Sequence, residues 1–305
     1  MMSEQNSRPV VVAVPNDDDL ESSVHYAASE ARVHRCGMRL VHAHPSGDEG
    51  HAELVLGRAR AMARLLAGPS VRISTRRVVG EPVVSVLRSS PDARVVVLRR
   101  RDSLNLLRLL GSAEQGVVTN AAIASVPRDW APRVRDPRPV LVGIETPSEA
   151  ATMIRLALEI AHAHRTALRI LHIWHLAGHY DELIGPQISP ELAHSLHASL
   201  RDELERVRRH DEFADVPVGV EIHHGVPAER LMQEARHAQA LLLDRNPPGP
   251  DGSVHLGRAT RSALYESPCP AVLLTTGRLP AAGGPGQARS APGEPITVRT
   301  GTPSG

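Results

Sequence analysis

Histidines, two cysteines and a run of arginines are the residues in this chain with the most chemistry to offer. There are 17 histidines. His42 and His44 alternate in an apolar run, so as a strand they share one face. His172 and His175 lie near a matching run, and His223-His224 ends another. A metal would need three or four such ligands converging with carboxylate or cysteine help. The plainer reading is strand-end and helix-surface histidines in a His-rich chain, and no metal site is predicted. Cys36 and Cys269 make neither a disulfide framework nor a zinc spacing. Cys269, between prolines, reads as a residue at the start of a strand, and a redox role would need a depressed pKa. Ser103, Ser112 and Ser253 lack a Gly-x-Ser-x-Gly context after a strand. They read as loop and cap serines. Arg99-Arg100-Arg101 is a basic run at a strand end. No residue is assigned a catalytic role.

The elements that must position these residues come in two copies. Val10–Val14 (VVVAV) reads as a buried strand, and Val140–Ile144 (VLVGI) repeats it 130 residues later. Leu40–His44 matches Ile170–Trp174 at the same offset. Further on, Gly80-Glu81-Pro82 matches Gly225-Val226-Pro227, and Val95–Leu98 matches Leu241–Asp244. Those later offsets are 145 and 146 residues, so the second copy has a longer middle segment. Apolar strands alternate with helical patterns, which implies parallel sheets with right-handed crossovers. In the second copy helices are expected near Pro147–His164, Pro190–Arg209, Pro227–His237 and Arg258–Glu266. Thr146-Pro147-Ser148-Glu149 reads as a capping box with proline at the first helical position. Ser189-Pro190 repeats the cap-then-proline arrangement. Asp17, Asp18 and Asp19 read as helix-start carboxylates that complement the helix dipole.

Composition narrows the function classes. The 305 residues suit two domains. Phe213 is the one phenylalanine, beside two Trp and three Tyr. The core must therefore be aliphatic, which suits helices on a parallel sheet and not an aromatic surface for nucleic acid. The formal charge of +1 gives no strong field toward nucleic acid or an anionic membrane. No apolar run approaches the roughly 20 residues needed to span a bilayer. No signal peptide is visible in residues 1–8, and a reducing cytoplasm is the expected compartment. The expected organisation is an N-terminal tail (1–8), a first domain (9–127), a Pro- and Arg-rich linker (128–138), a second domain (139–277) and a disordered tail (278–305).

The order of these pieces, repeated twice, resembles the universal stress protein family in its tandem form. Gly80-Glu81-Pro82 and Gly225-Val226-Pro227 resemble that family's Gly-x-Pro step. Ser267-Pro268-Cys269-Pro270 followed by Ala271–Leu274 resembles its approach to the fifth strand. The resemblance implies two doubly wound α/β domains. Each would be a five-stranded parallel sheet of order 3-2-1-4-5 flanked by helices, and the domains would pair through their fifth strands. It also implies an ATP site after the fourth strand, where a Gly-x2-Gly-x9-Gly-Ser/Thr loop lets backbone N–H groups approach phosphate. An acid at the end of the first strand completes that adenosine site.

Both copies depart from the loop while keeping its length. In the first, Gly111-Ser112 fits the last pair, but Leu98 and Arg101 replace the two earlier glycines. In the second, Gly257-Arg258 fits the last pair, but Asp244 and Pro247 replace the glycines. Pro247 has no N–H to donate, and Asp244 sets a carboxylate where phosphate would approach. The acid after the first strand is absent from the first copy, where Pro15 and Asn16 stand, and present as Glu145 in the second. The candidate nucleotide-contacting residues are therefore Gly111, Ser112, Arg101, Glu145, Gly257 and Arg258. The resemblance implies a non-catalytic stress-response regulator with a degenerate adenine-nucleotide site. One alternative is a nucleotide-independent scaffold that binds a protein partner, and a weaker one is an ATPase or nucleotidyl-type transferase. Association is expected within one chain, with a homodimer as a further form.

Overall fold

The computed structural model describes residues 8–17, 19–110, 121–133, 136–176, 180–209, 213–245 and 256–276. Gly111, Ser112, Ser253, Pro247 and the tail from 278 lie outside them. The first half runs β1 (Val10–Val14), α1 (Glu21–Val33), β2 (Met38–His44), α2 (Glu49–Ala67), β3 (Ile73–Val79), α3 (Pro82–Arg88), β4 (Val95–Arg99), α4 (Arg100–Leu110) and β5 (Ala122–Val126). The second runs β6 (Val140–Ile144), α5 (Ala151–His164), β7 (Leu168–Trp174), α6 (Tyr180–Arg208), β8 (Val218–His224), α7 (Pro227–Ala235), β9 (Ala240–Asp244), α8 (Arg258–Glu266) and β10 (Ala271–Leu274).

All ten strands form one sheet, in the order β3-β2-β1-β4-β5-β10-β9-β6-β7-β8. Each half is a parallel 3-2-1-4-5 sheet, as expected. The halves join where β5 and β10 run antiparallel, with Ala124 opposite Val272 and Ile123 opposite Leu273. Strand side chains alternate between two cores. Val10, Val12 and Val14 pack under α1 and α2, while Val11 and Ala13 pack under α3 and α4. The second half repeats this with α5 and α6 on one face and α7 and α8 on the other, so both cores run across the junction. Buried polar groups also cross it. The Ser103 hydroxyl donates to Ser125 Oγ at 2.8 Å, and Ser125 donates to the Leu264 carbonyl at 3.2 Å. Arg100 Nη2 donates to the Ser267 carbonyl. Ser103 is thus a buried residue of the junction and not a loop or cap serine.

The Gly-x-Pro steps have a backbone cause. Gly80 has φ +124° and Gly225 has φ +135°, a region that L side chains rarely adopt. In each, the glycine N–H bonds back to the end of the second strand of its half: Gly80 to the His44 carbonyl and Gly225 to the Trp174 carbonyl, both at 3.0 Å. Proline then opens the helix at its first turn. A Cβ on residue 225 would meet nothing within 4 Å. Gly225→Ala is therefore expected to cost about 1–3 kcal/mol from backbone strain alone. Gly80→Ala should cost more, because its Cβ would lie 2.6 Å from the Ser85 hydroxyl. Urea unfolding of both variants checks the order; equal stability to the parent would show that the backbone relaxes out of this region.

Local signals differ from the structure in three places. Pro147–Glu149 forms a 3-10 turn, and the Glu149 N–H bonds the Thr146 carbonyl at 3.2 Å. The donor that a Thr146 side-chain cap would serve is already used, so the capping box does not form. Helix α6 begins at Tyr180, ahead of Ser189-Pro190. Each proline removes one helical N–H, and the helix absorbs that loss at Pro186 and Pro190. Leu200 and Leu204, one turn apart and buried, hold its later turns to the sheet. Strand register moves the fourth match, Val95–Leu98 with Leu241–Asp244, by one residue. Val10 pairs with Val95 and Val140 with Ala240, so Arg99, and not Leu98, is the counterpart of Asp244.

Candidate functional site: two crevices at the strand ends

In an open doubly wound sheet the ligand crevice lies at the carboxyl ends of the strands, where strand order reverses. Here that is between β1 and β4 in the first half and between β6 and β9 in the second. Both crevices exist. The first is a hollow of about 440 Å³ lined by Pro15, Asn16, Asp17, Arg99, Arg101 and Asp102 among others. The second is about 270 Å³, lined by Glu145, His175, Pro227, Asp244, Gly257 and Arg258 among others.

In the first crevice the Arg99 guanidinium is satisfied internally, whereas His42 Nε2, on the same wall, is buried without a hydrogen-bond partner among the described residues. Arg99, at the end of β4, is 8% exposed. Its Nε and Nη2 donate to the two oxygens of Asp102, at 2.8 and 3.1 Å. Its Nη1 donates to Asp17 and to the Asp19 carbonyl. Burial opposes the charge, but Asp102 and Asp17 more than offset this and hold the guanidinium above its ordinary pKa. Asp17 is therefore committed to Arg99 across the crevice, and Asp19 lies 3.6 Å from Arg128, where helix-start carboxylates were expected. Arg101 is exposed on the first turn of α4, with its Nη1 3.7 Å from Asp17. The segment expected to be a phosphate loop is strand to Arg99 and helix from Arg100 to Leu110. Only the first turn of a helix has free N–H groups, so the described remainder of this segment, up to Leu110, has none to offer an anion.

The second crevice is arranged differently. At the position of Arg99 stands Asp244. Its Oδ2 accepts from the Thr276 hydroxyl at 2.7 Å. Its Oδ1 is buried without a hydrogen-bond partner among the described residues. A buried acceptor left unpaired costs about 1–3 kcal/mol, so this oxygen favours a donor from a ligand or water. Glu145, at the end of β6, and Arg258, at the N-terminus of α8, are exposed on the wall. Gly257 precedes that helix with φ −57°, needing no left-handed conformation. Of the six expected contact residues, the structure brings Glu145, Gly257 and Arg258 into one crevice and leaves Arg101 in the other.

Sequence reading did not single out Arg99, Asp102 or Asp17 as a cluster. Arg99 and Asp102 were visible as an i,i+3 pair, but Asp17 is brought in by the fold. The strand histidines have a structural role that repeats. His42 Nδ1 bonds the Val14 carbonyl at 2.8 Å, and His172 Nδ1 bonds the Ile144 carbonyl at 2.9 Å. Each fastens the second strand of its half to the crevice end of the first. Burial, the largest influence, holds His42 below the usual histidine pKa. Cys269 is 1% exposed, and burial pushes its thiol up to about 11, the opposite of what a redox role requires.

No described helix is long and apolar enough to cross a membrane. Residues 137–275 match the model of the universal stress protein family. Two universal stress proteins of Mycobacterium tuberculosis H37Rv, Rv1996 and Rv2005c, are 24% and 23% identical to the chain. Each alignment covers 90% of this chain, with 96% and 99% of the respective relative. A universal stress protein structure from Archaeoglobus fulgidus superposes with TM-score 0.58 at 13% identity, covering 90% of this chain and 99% of that one. A putative universal stress protein structure from Pseudomonas aeruginosa gives the same TM-score at 13% identity, covering 89% and 94%. Paired 3-2-1-4-5 sheets, repeated Gly-x-Pro steps and full-length relatives of the same size agree: residues 137–275 belong to the universal stress protein family, and the whole chain is similar to that family's tandem two-domain members.

Proposed function

We propose that this protein is a non-catalytic stress-response regulator that reads an adenine nucleotide through its second crevice, while the first is structural. The carrying observation is the exchange at one strand-end position. Arg99 is paired within the first half, whereas Asp244 has a buried oxygen awaiting a donor. Ribose hydroxyls and the adenine amino group are such donors, and Glu145 is a second acceptor on the same wall. Arg258 and the α8 N-terminus favour phosphate. Two carboxylates oppose a high negative charge, so AMP and ADP are expected to bind more tightly than ATP without magnesium. Regulation without turnover is supported by where the nucleophilic groups lie: Ser103 and Ser125 are bonded to each other, and the Cys269 thiol is buried.

The test is titration calorimetry of the full chain with AMP, ADP and ATP, with and without magnesium. One equivalent is expected. Asp244→Ala and Arg258→Glu should each weaken it by about tenfold or more, the value of one charged hydrogen bond, and Arg101→Glu should leave it unchanged. The ion-paired first crevice favours a second reading, a nucleotide-independent scaffold for a protein partner. No heat with any nucleotide at millimolar concentration would establish that reading in place of the first. Loss of binding in Arg101→Glu would move the site to the first half.

A further inference from the structure

A cluster far from both crevices joins the two halves. Glu30 lies in the last turn of α1 and His34 is its C-terminal cap residue, one turn on, so both face the same way. His164, the last residue of α5, meets them from the second half. His164 Nε2 is 3.1 Å from Glu30 Oε1, and His34 Nε2 is 3.5 Å from Glu30 Oε2. One ligand atom from each of the three residues lies within 4.8 Å of the other two. The side chains are only 10–15% exposed. His34 and His164 are 130 residues apart, the offset of the repeat, so they are counterparts that meet where the halves adjoin. Their rings are 6.3 Å apart and nearly perpendicular. Beside them opens a cavity of about 240 Å³, walled in part by Tyr26, Trp130 and Gln239.

A carboxylate buried against two imidazoles needs a positive charge nearby. A ring proton supplies it in one state, and a metal ion supplies it in another. Two bonds of about 2.0–2.1 Å at a tetrahedral angle put ligand atoms roughly 3.3 Å apart. The two nitrogen–oxygen separations here, one to each oxygen of Glu30, bracket that figure. Two nitrogens and one carboxylate suit zinc and its neighbours, whereas calcium and magnesium favour six or more oxygens. We infer that Glu30, His34 and His164 form a binding site for a divalent transition metal of the zinc class, bridging the two halves, with its fourth position open to solvent in the adjoining cavity. Both imidazoles must be neutral to ligate, and the metal then supplies the positive charge beside Glu30. The metal then ties α1 to α5 across the junction.

Cobalt and zinc titrations of the metal-stripped full chain test this. Other histidines bind weakly, so the readout is the intense visible absorption of four-coordinate cobalt, displaced by one equivalent of zinc. His164→Gln is expected to weaken binding by about a hundredfold or more and to lose the cobalt bands, with its circular dichroism unchanged. His164→Cys should restore binding and add a thiolate-to-cobalt band in the near ultraviolet, which a packing role for His164 would not do. Should His164→Gln not fold, His34→Gln carries the same expectation. Absence of a one-equivalent site in the parent chain, or bands that persist in these variants, would overturn the assignment.

Discussion

Replacing Ala124 with aspartate is expected to destabilise the protein by at least about 3 kcal/mol and to split its unfolding into two transitions. Ala124 is fully buried in the middle of β5. It pairs with Val97 of β4 on one side and Val272 of β10 on the other. A carboxylate there has no room for water and faces apolar side chains from both halves, so it is buried unpaired. The same substitution tests how the halves communicate. The two cores run unbroken across the junction, so the parent chain is expected to unfold in urea as one cooperative unit. With the junction disrupted, the remaining contacts within each half outnumber those between them, and each half should melt separately. Circular dichroism followed together with Trp fluorescence checks this, because Trp130 of the linker packs on Tyr26 of the first half and Trp174 ends β7 of the second. Coincident transitions in Ala124→Asp would mean that the helices alone couple the halves.

The architecture was legible because its cause is local. Runs such as VVVAV and LLLD are buried on both faces, and buried parallel strands read as continuous apolar runs. The Gly-x-Pro steps were legible for a similar reason, since only glycine tolerates the φ that both steps require. What was not legible depends on residues distant in sequence. Asp17 and Arg99 are 82 positions apart, and Glu30 and His164 are 134 apart. The Glu30–His34 spacing is visible on a helix, but nothing local indicates that His164 will close the cluster. The capping box at Thr146 was a fair local signal overridden by a tighter turn. The one-residue shift between Leu98 and Arg99 mattered more, because side chains alternate faces along a strand. Counting from the glycines put an apolar residue at the crevice, whereas strand pairing puts the arginine there.

That arginine carries the second large effect. Asp102→Ala is expected to cost about 2–3 kcal/mol, and Arg99→Met about 1–2 kcal/mol. The asymmetry follows from exposure. Arg99 is 9% exposed at its side chain, while Asp102 is 21% and Asp17 is 47% exposed. Removing Asp102 strands the more buried ion, with Asp17 as its remaining carboxylate partner. Removing Arg99 instead leaves two carboxylates that solvent can reach, and methionine refills part of the space. A double-mutant cycle in urea should give a coupling of about 1 kcal/mol or more between the two positions. Equal costs for the two single variants would mean that the pair is hydrated and does not close the crevice. The cycle also bears on function. Arg99→Met widens the first crevice but leaves α4 starting at Arg100, so its backbone N–H groups beyond the first turn stay bonded within the helix. The variant is therefore expected to bind no additional equivalent of nucleotide. A second equivalent would show that the arginine, and not the helix in place of the loop, had been what kept nucleotide out of the first half.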